Sequence, residues 1–270
     1  MRIVRHLVVA AMLAGLAGVT SAAVELNKDY KALPAAQPTE AAGKVEVLEF
    51  FQYGCGHCYD FEPTMKAWTG KKPKDVVFRY VPTVWDESRI PQAKMFYALE
   101  EMGLLPTLHE KAYETIHQKQ VKLWERPILM KWIADQKVDA KKFEEVYDSF
   151  GVDSKVKRAA QMTKAYRISG TPTVIVNGKY TTGPGYTMGA GGHPDYARFQ
   201  QVLDETLEQQ PRIAEGLERL AAGAGEGLVE PRRLTDDAHA LAPAPGRGLP
   251  QQRKPEAAGL RREHAVGLVL

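Results

Sequence analysis

The stretch Phe50-Phe51-Gln52-Tyr53-Gly54-Cys55-Gly56-His57-Cys58-Tyr59-Asp60-Phe61-Glu62-Pro63 carries both cysteines of a 270-residue chain. They are spaced Cys-x-x-Cys, between an apolar run, Val45 to Phe51, that reads as a strand and a segment, His57 to Trp68, that reads as a helix. Positions i and i+3 share a helix face, so the two sulfurs meet across one turn. With Cys55 at the helix N-terminus, unpaired backbone N–H groups and the positive end of the dipole favour its thiolate. His57, between the sulfurs, adds positive charge or a hydrogen bond when protonated. Pro63 is expected to kink the helix.

Blander readings of the pair explain less. A structural disulfide closing so small a ring hardly restricts the unfolded chain. Zinc wants four ligands, and no second Cys/His cluster is visible. Covalent haem wants His directly after Cys58, where Tyr59 stands. Dithiol redox chemistry is the strongest reading.

The composition, 44% hydrophobic and 26% charged, is that of a globular protein, and a formal charge of +3 is too small to argue for nucleic acid. Arg2 and Arg5 precede an apolar run, Leu7 to Val19, and then Thr20-Ser21-Ala22-Ala23. That is the pattern of a secretory signal peptide, cleaved after Ala22 or Ala23. An uncleaved anchor is the competing reading, for which the run is short. Export leads to an oxidising compartment, where spare cysteines pair. A single pair, with none left to staple the fold, points to chemistry.

Val24 to Gly43 reads as extended and loosely held. Glu49 is an anomaly, a carboxylate inside an apolar strand. Burial would raise its pKa and let it tune the thiols or relay a proton, whereas an edge-facing or salt-bridged acid would do neither. Asp75 to Val81 reads as a second strand, which makes a parallel βαβ unit and puts the sulfurs at the carboxyl end of a strand. Glu87 to Tyr166 reads as helical throughout. Gly103 stops Arg89–Met102, Thr107 and Glu110 form a capping box, Pro127 opens Ile128–Ala134, Asp139 caps Ala140–Phe150 before Gly151, and Asp153 caps Ser154–Tyr166. Pro172 then starts a strand, Thr173 to Val176. Asn177-Gly178 is a type I′ turn signal, and Lys179 to Thr182 returns. Gly183 to Gly192 lacks the setting of a dinucleotide loop. Pro194 to Gln209 reads as a last helix with Tyr196, Phe199, Val202, Leu203 and Leu207 on roughly one face.

This predicts an α/β fold with an inserted all-helical subdomain. Residues 1–23 are the signal peptide, 24–86 and 167–210 the two parts of the α/β domain, and 87–166 the insertion. From 211 to 270 aromatics vanish and Ala, Gly, Pro and Arg dominate, the composition of a mostly disordered tail. It also permits an extension without a function, so truncation after Gln210 should leave activity and melting intact.

The run Leu48 to Glu62, the helical insertion and Ser169-Gly170-Thr171-Pro172-Thr173 together resemble the DsbA family of periplasmic thiol:disulfide interchange proteins, within the thioredoxin superfamily. The resemblance spans about Val24 to Gln210 and implies a thioredoxin-like fold, the two α/β parts being one thioredoxin-like domain with the helices inserted. It implies that Cys55 is the exposed reactive cysteine and Cys58 the buried resolving one. His57 would stabilise the Cys55 thiolate, and Glu49 would be a buried acid that tunes it. Thr171 and Pro172 would form a cis-proline loop that faces the disulfide and pairs with substrate backbone. The usual dipeptide of this branch is Pro-His; here it is Gly56-His57, which keeps the histidine. The resemblance further implies reduced, unfolded exported proteins as substrates, a DsbB-like, quinone-linked membrane partner as reoxidant, a periplasmic monomer and no cofactor. A reductase or isomerase of the same superfamily is the alternative enzyme, and a peptide-binding chaperone without turnover the alternative of another class.

Overall fold

Val45–Phe51 forms strand β2, and all seven of its residues are buried, as expected of an apolar run covered on both sheet faces. The computed structural model of the protein describes residues 23–210. The expectations of a signal peptide and of a disordered tail at 211–270 lie outside the described residues.

Strands β1 (Lys31–Ala32), β2, β3 (Val76–Pro82), β4 (Thr173–Val176) and β5 (Tyr180–Thr182) form one sheet in the order β1-β5-β4-β2-β3. Strand β2 runs parallel to β3, from Val45 opposite Val76 to Phe51 opposite Pro82, and antiparallel to β4. Helix α1 (Gly56–Thr69) makes the crossover between β2 and β3, and helix α7 (Tyr196–Glu208) closes the described chain. The period-2 alternation divides the core. Val45, Val47, Val174 and Val176 pack with Phe61, Met65 and Trp68 of α1 and with Phe199, Leu203 and Leu207 of α7. Leu48, Phe50 and Ile175 belong to the other core, shared with the inserted helices. Trp68 Nε1 donates to Asp204 Oδ1 at 3.1 Å and ties α1 to α7. Phe61 is wholly buried, and its truncation to alanine costs about 3–5 kcal/mol.

Between β3 and β4 stand helices α2 (Ile90–Glu101), α3 (Leu105–His117), α4 (Arg126–Asp135), α5 (Ala140–Tyr147) and α6 (Phe150–Ala165). Several boundaries differ from the pattern-based ones. Helix α3 begins before Thr107, with Pro106 in its first turn, and Thr107 Oγ1 donates back to Leu104 O instead of capping. Ser149 is the N-cap of α6, accepting from Val152 N at 3.2 Å, so Gly151 opens a helix where a stop was expected and Asp153 lies in the first turn. A serine with a free backbone ahead of it is a stronger start signal than the glycine is a stop. Helix α1 runs through Pro63 without a break.

The segment before β2 is not loosely held. Its strand β1 pairs with β5, Tyr30 is buried, and Asp29 accepts from Arg198 Nη2 of α7 at 2.6 Å. Two residues are too short a strand for an alternation signal, which is why the pattern missed it.

Candidate active site

Strand β2 ends at Phe51, and a tight turn, closed by Cys55 N donating to Gln52 O at 3.2 Å, delivers the chain to α1. Cys55 is the N-cap residue of α1, in an extended conformation (φ −90°, ψ 115°) with no side-chain cap of its own. The first backbone N–H groups of the helix are therefore free to face its sulfur. One turn on, Cys58 is wholly buried, while Cys55 is partly exposed. Across from them the Thr171–Pro172 peptide bond is cis, and Thr171 O lies 3.4 Å from Cys55 Sγ. The loop is backed by Gly183, whose φ of 148° suits only glycine and whose added Cβ would stand 3.1 Å from Pro172 O.

The two sulfurs differ sharply. The Cys55 thiol is lowered from 9.0 to about 5, chiefly because the Cys58 thiol donates a hydrogen bond to it. The Thr171 side chain and the backbone N–H groups of Cys58 and His57 add to this, and partial burial opposes it. The contact of Cys55 with the Thr171 carbonyl exists only in the thiol form; it is outweighed by donors that favour the anion. Burial pushes the Cys58 thiol well above the ordinary range, and its bond to Cys55 holds the proton there.

Glu49 sits on β2, a central strand of the sheet, wholly buried and with neither carboxylate oxygen hydrogen-bonded. It is neither edge-facing nor salt-bridged. Burial, then the Glu62 carboxylate, then Cys55 raise its pKa well above the usual carboxylate range. Glu49 stands opposite Tyr80 in the β2–β3 register, and Tyr80 Oη donates to Glu62 Oε1 at 2.9 Å. His109 Nε2 lies 3.5 Å from Glu62 Oε2, too long for a hydrogen bond but within ion-pair range. Its Nδ1 is 2.8 Å from Tyr53 Oη.

Of the residues singled out by sequence, Cys55, Cys58, Thr171 and Pro172 come together, and the Glu49 carboxyl interacts electrostatically with both sulfurs. His57 is exposed, and its imidazole makes no hydrogen bond; it reaches Cys55 through its backbone N–H. Gly56 is the first residue of α1 and has open space where a Cβ would stand. Proline is at home in that position, and the extended Cys55 is compatible with a following proline. Gly56→Pro is therefore expected to fold normally and gain about 0.4–1 kcal/mol by stiffening the unfolded chain. Chemical denaturation checks it, and a loss of stability would count against the placement of Gly56.

Sequence reasoning missed the residues that hold the turn. Gln92 of α2 and His109 and His117 of α3 all bond to Tyr53 or Gly54. The only signal was the stripe His109, Tyr113, His117 at i, i+4, i+8, which nothing in the pattern connects to the cysteines.

The strand order, with a dithiol at the β2–α1 junction and helices inserted before β4, makes this a thioredoxin-like fold with a helical insertion. The comparisons narrow the class. The family model of the DSBA-like thioredoxin domain matches residues 87–203, which include the insertion but not the cysteines. The thiol:disulfide interchange protein DsbA of Burkholderia cepacia is 41% identical over 197 residues, covering 72% of this chain and 93% of its own. That of Azotobacter vinelandii is 35% identical over 215 residues, covering 76% and 98%. The crystal structure of Pseudomonas aeruginosa DsbA is similar with a TM-score of 0.64 at 33% identity, covering 74% of this chain and 97% of that one. The chain belongs to the DsbA family of thiol:disulfide oxidoreductases.

Proposed function

We propose that this oxidoreductase introduces disulfide bonds into reduced, unfolded exported proteins, with Cys55 as the sulfur that exchanges with substrate and Cys58 as its buried partner, which leaves Cys55 when substrate attacks and can return to it to expel a bound substrate. The observation that carries this is the placement of the pair, a partly exposed Cys55 at the N-cap of α1, beside a wholly buried Cys58 and 3.4 Å from the carbonyl of the cis-proline loop; these surroundings lower the first sulfur to about 5 and push the second up. In the oxidised form a substrate thiolate attacks Cys55 Sγ. The Cys55–Cys58 bond breaks, its electron pair goes to Cys58, and Cys58 takes up a proton. A second substrate thiolate then attacks the substrate sulfur of the mixed disulfide, and Cys55 leaves as a thiolate. The substrate dithiol is oxidised and the enzyme is reduced by two electrons. A stable Cys55 thiolate makes that leaving easy and the reduced enzyme favoured, so the disulfide is oxidising; DsbA is itself a standard illustration of this link.

Thr171 and Pro172 present a loop edge on which extended substrate backbone can pair, a sequence-tolerant mode suited to unfolded chains. His57 acts through its backbone N–H in this arrangement, and Glu49 through its proton and its charge. Export to the periplasm is supported by the signal pattern of residues 1–23, and family membership supports a DsbB-like, quinone-linked membrane reoxidant.

The test is oxidative refolding of a reduced, unfolded disulfide protein by stoichiometric oxidised enzyme, with the dithiol equilibrated against glutathione. Rapid disulfide formation and an equilibrium poised towards reduced enzyme are expected. A strongly reducing equilibrium would indicate a reductase, and no turnover a peptide-binding chaperone. Cys58→Ser is expected to accumulate mixed disulfides on Cys55, seen as adducts on non-reducing gels, because the thiol that attacks Cys55 Sγ in the reverse of the first step and expels the bound sulfur is gone; release of substrate at the parent rate would contradict its role.

A further inference from the structure

Three polar groups of Tyr53 and Gly54, in the turn that precedes Cys55, are paired with side chains of the helical insertion. Gly54 N donates to Gln92 Oε1 of α2 at 2.9 Å. Tyr53 Oη meets His109 Nδ1 of α3 at 2.8 Å. Tyr53 O accepts from His117 Nε2 of α3 at 2.8 Å; a carbonyl only accepts, so Nε2 carries the proton. The ring of His117 does more. It stacks on Tyr59, the residue after Cys58, with centroids 4.9 Å apart and planes inclined by 10°. One half-buried side chain thus grips the chain two residues before Cys55 and one residue after Cys58.

We propose that His117 is a positioning residue of the dithiol: from the helical insertion it holds both ends of the Cys55–Cys58 motif and so fixes the helix N-terminus on which the reactive sulfur sits. The Cys55 anion depends on short-range donors, namely the Cys58 thiol, the Thr171 side chain and the first helical N–H groups. Hydrogen bonds weaken steeply with misalignment, so freeing the turn by a few tenths of an ångström costs the anion more than it costs the fold. Tyr53 also keeps its hold on His109 when His117 is lost, which leaves the core of the turn in place. The insertion is then part of the redox centre.

This inference rests on Cys55 being the reactive thiolate, and the experiment separates the two. The reduced parent, His117→Phe and His117→Gln are titrated by thiolate absorbance, equilibrated with glutathione and melted. His117→Phe keeps a ring for Tyr59 but has no donor for Tyr53 O. His117→Gln keeps a donor without a ring and, like phenylalanine, carries no charge. The expected result is a Cys55 midpoint about one unit higher in His117→Phe, with an approximately tenfold shift of the glutathione equilibrium towards oxidised enzyme at pH 7. His117→Gln should recover a clear part of both. A parent midpoint near that of an ordinary thiol overturns the assignment of Cys55. A low parent midpoint left unchanged by His117→Phe overturns the inference, whatever the melting temperature does. Equal shifts in the two variants overturn it also, because the donor kept in His117→Gln for Tyr53 O would then have restored nothing. Should His117→Phe not fold, Gln92→Leu, which frees Gly54 N in the same turn, is expected to raise the midpoint in the same direction, and no change there has the same overturning force.

Discussion

Cys55→Ser is expected to abolish disulfide exchange and, in the reduced protein, to remove a pH-dependent share of the stability. The first effect follows from the loss of the one cysteine thiol within reach of a substrate, since Cys58, the other cysteine, is wholly buried. The second follows from linkage. The surroundings of Cys55 in the fold lower its thiol to about 5 from 9.0, the value of a thiol without these partners, as in the unfolded chain. A depressed folded-state value stabilises the fold in full above the unfolded value, and the gain is lost as pH falls through the folded one. At pH 7, two units above the folded value, the ceiling is about 2.7 kcal/mol. The sulfur is partly exposed, and solvent screening reduces this to about 1–2 kcal/mol. Urea denaturation of the reduced parent and of Cys55→Ser from pH 4 to pH 9 measures it. The two curves should converge near pH 4 and separate steadily above pH 5; parallel curves would show that the thiolate is not specially stabilised.

Glu49→Leu is expected to raise stability at pH 7 by about 1–3 kcal/mol, the cost of burying a carboxyl group that has no hydrogen-bond partner. For a chain of this size that is roughly 2–4 °C in Tm per kcal/mol. The pH dependence has the opposite sign to that of Cys55. A folded-state value raised above the ordinary 4.5 means that the folded protein keeps a proton the unfolded chain releases. The penalty is small below pH 4 and grows as pH rises towards the folded value. The advantage of Glu49→Leu should therefore widen between pH 4 and pH 7. Thermal melts at both pH values check this, and a variant less stable than the parent at pH 7 would mean that the carboxyl group has a partner. The same variant is expected to slow opening of the Cys55–Cys58 disulfide by substrate, because Glu49 acts on Cys58, the sulfur that takes up a proton in that step.

Much of this arrangement was legible in the chain, and the limits have physical causes. The Cys-x-x-Cys at a strand-to-helix junction, the parallel β2–β3 pair and the helical insertion were all read from local patterns, because each is written within a few consecutive residues. The turn at Asn177-Gly178, with φ of 50° and 63°, was equally local. Strand β1 was not, since its two residues owe their place to β5 and to the Asp29–Arg198 pair some 170 positions away. The helix start at Ser149 was overridden by a glycine that pattern reasoning weighted too heavily. In the site, the sulfurs and the proline loop were found by their motifs. The hydrogen bonds to Tyr53 and Gly54 were not, because they join α2 and α3 to a turn 38 to 64 residues earlier. His57 shows the same limit from the other side: adjacency in sequence suggested its imidazole, whereas an exposed ring at a helix start contributes its backbone N–H.

The most direct measurement is the absorbance of the Cys55 thiolate in the reduced protein, followed from pH 3 to pH 10. A single transition with its midpoint near 5 is expected, with Cys58 silent until far higher pH. A midpoint near 9.0, the value of an unassisted thiol, would contradict the central claim that this helix N-terminus, its buried neighbour and the loop at Thr171 hold the sulfur as an anion.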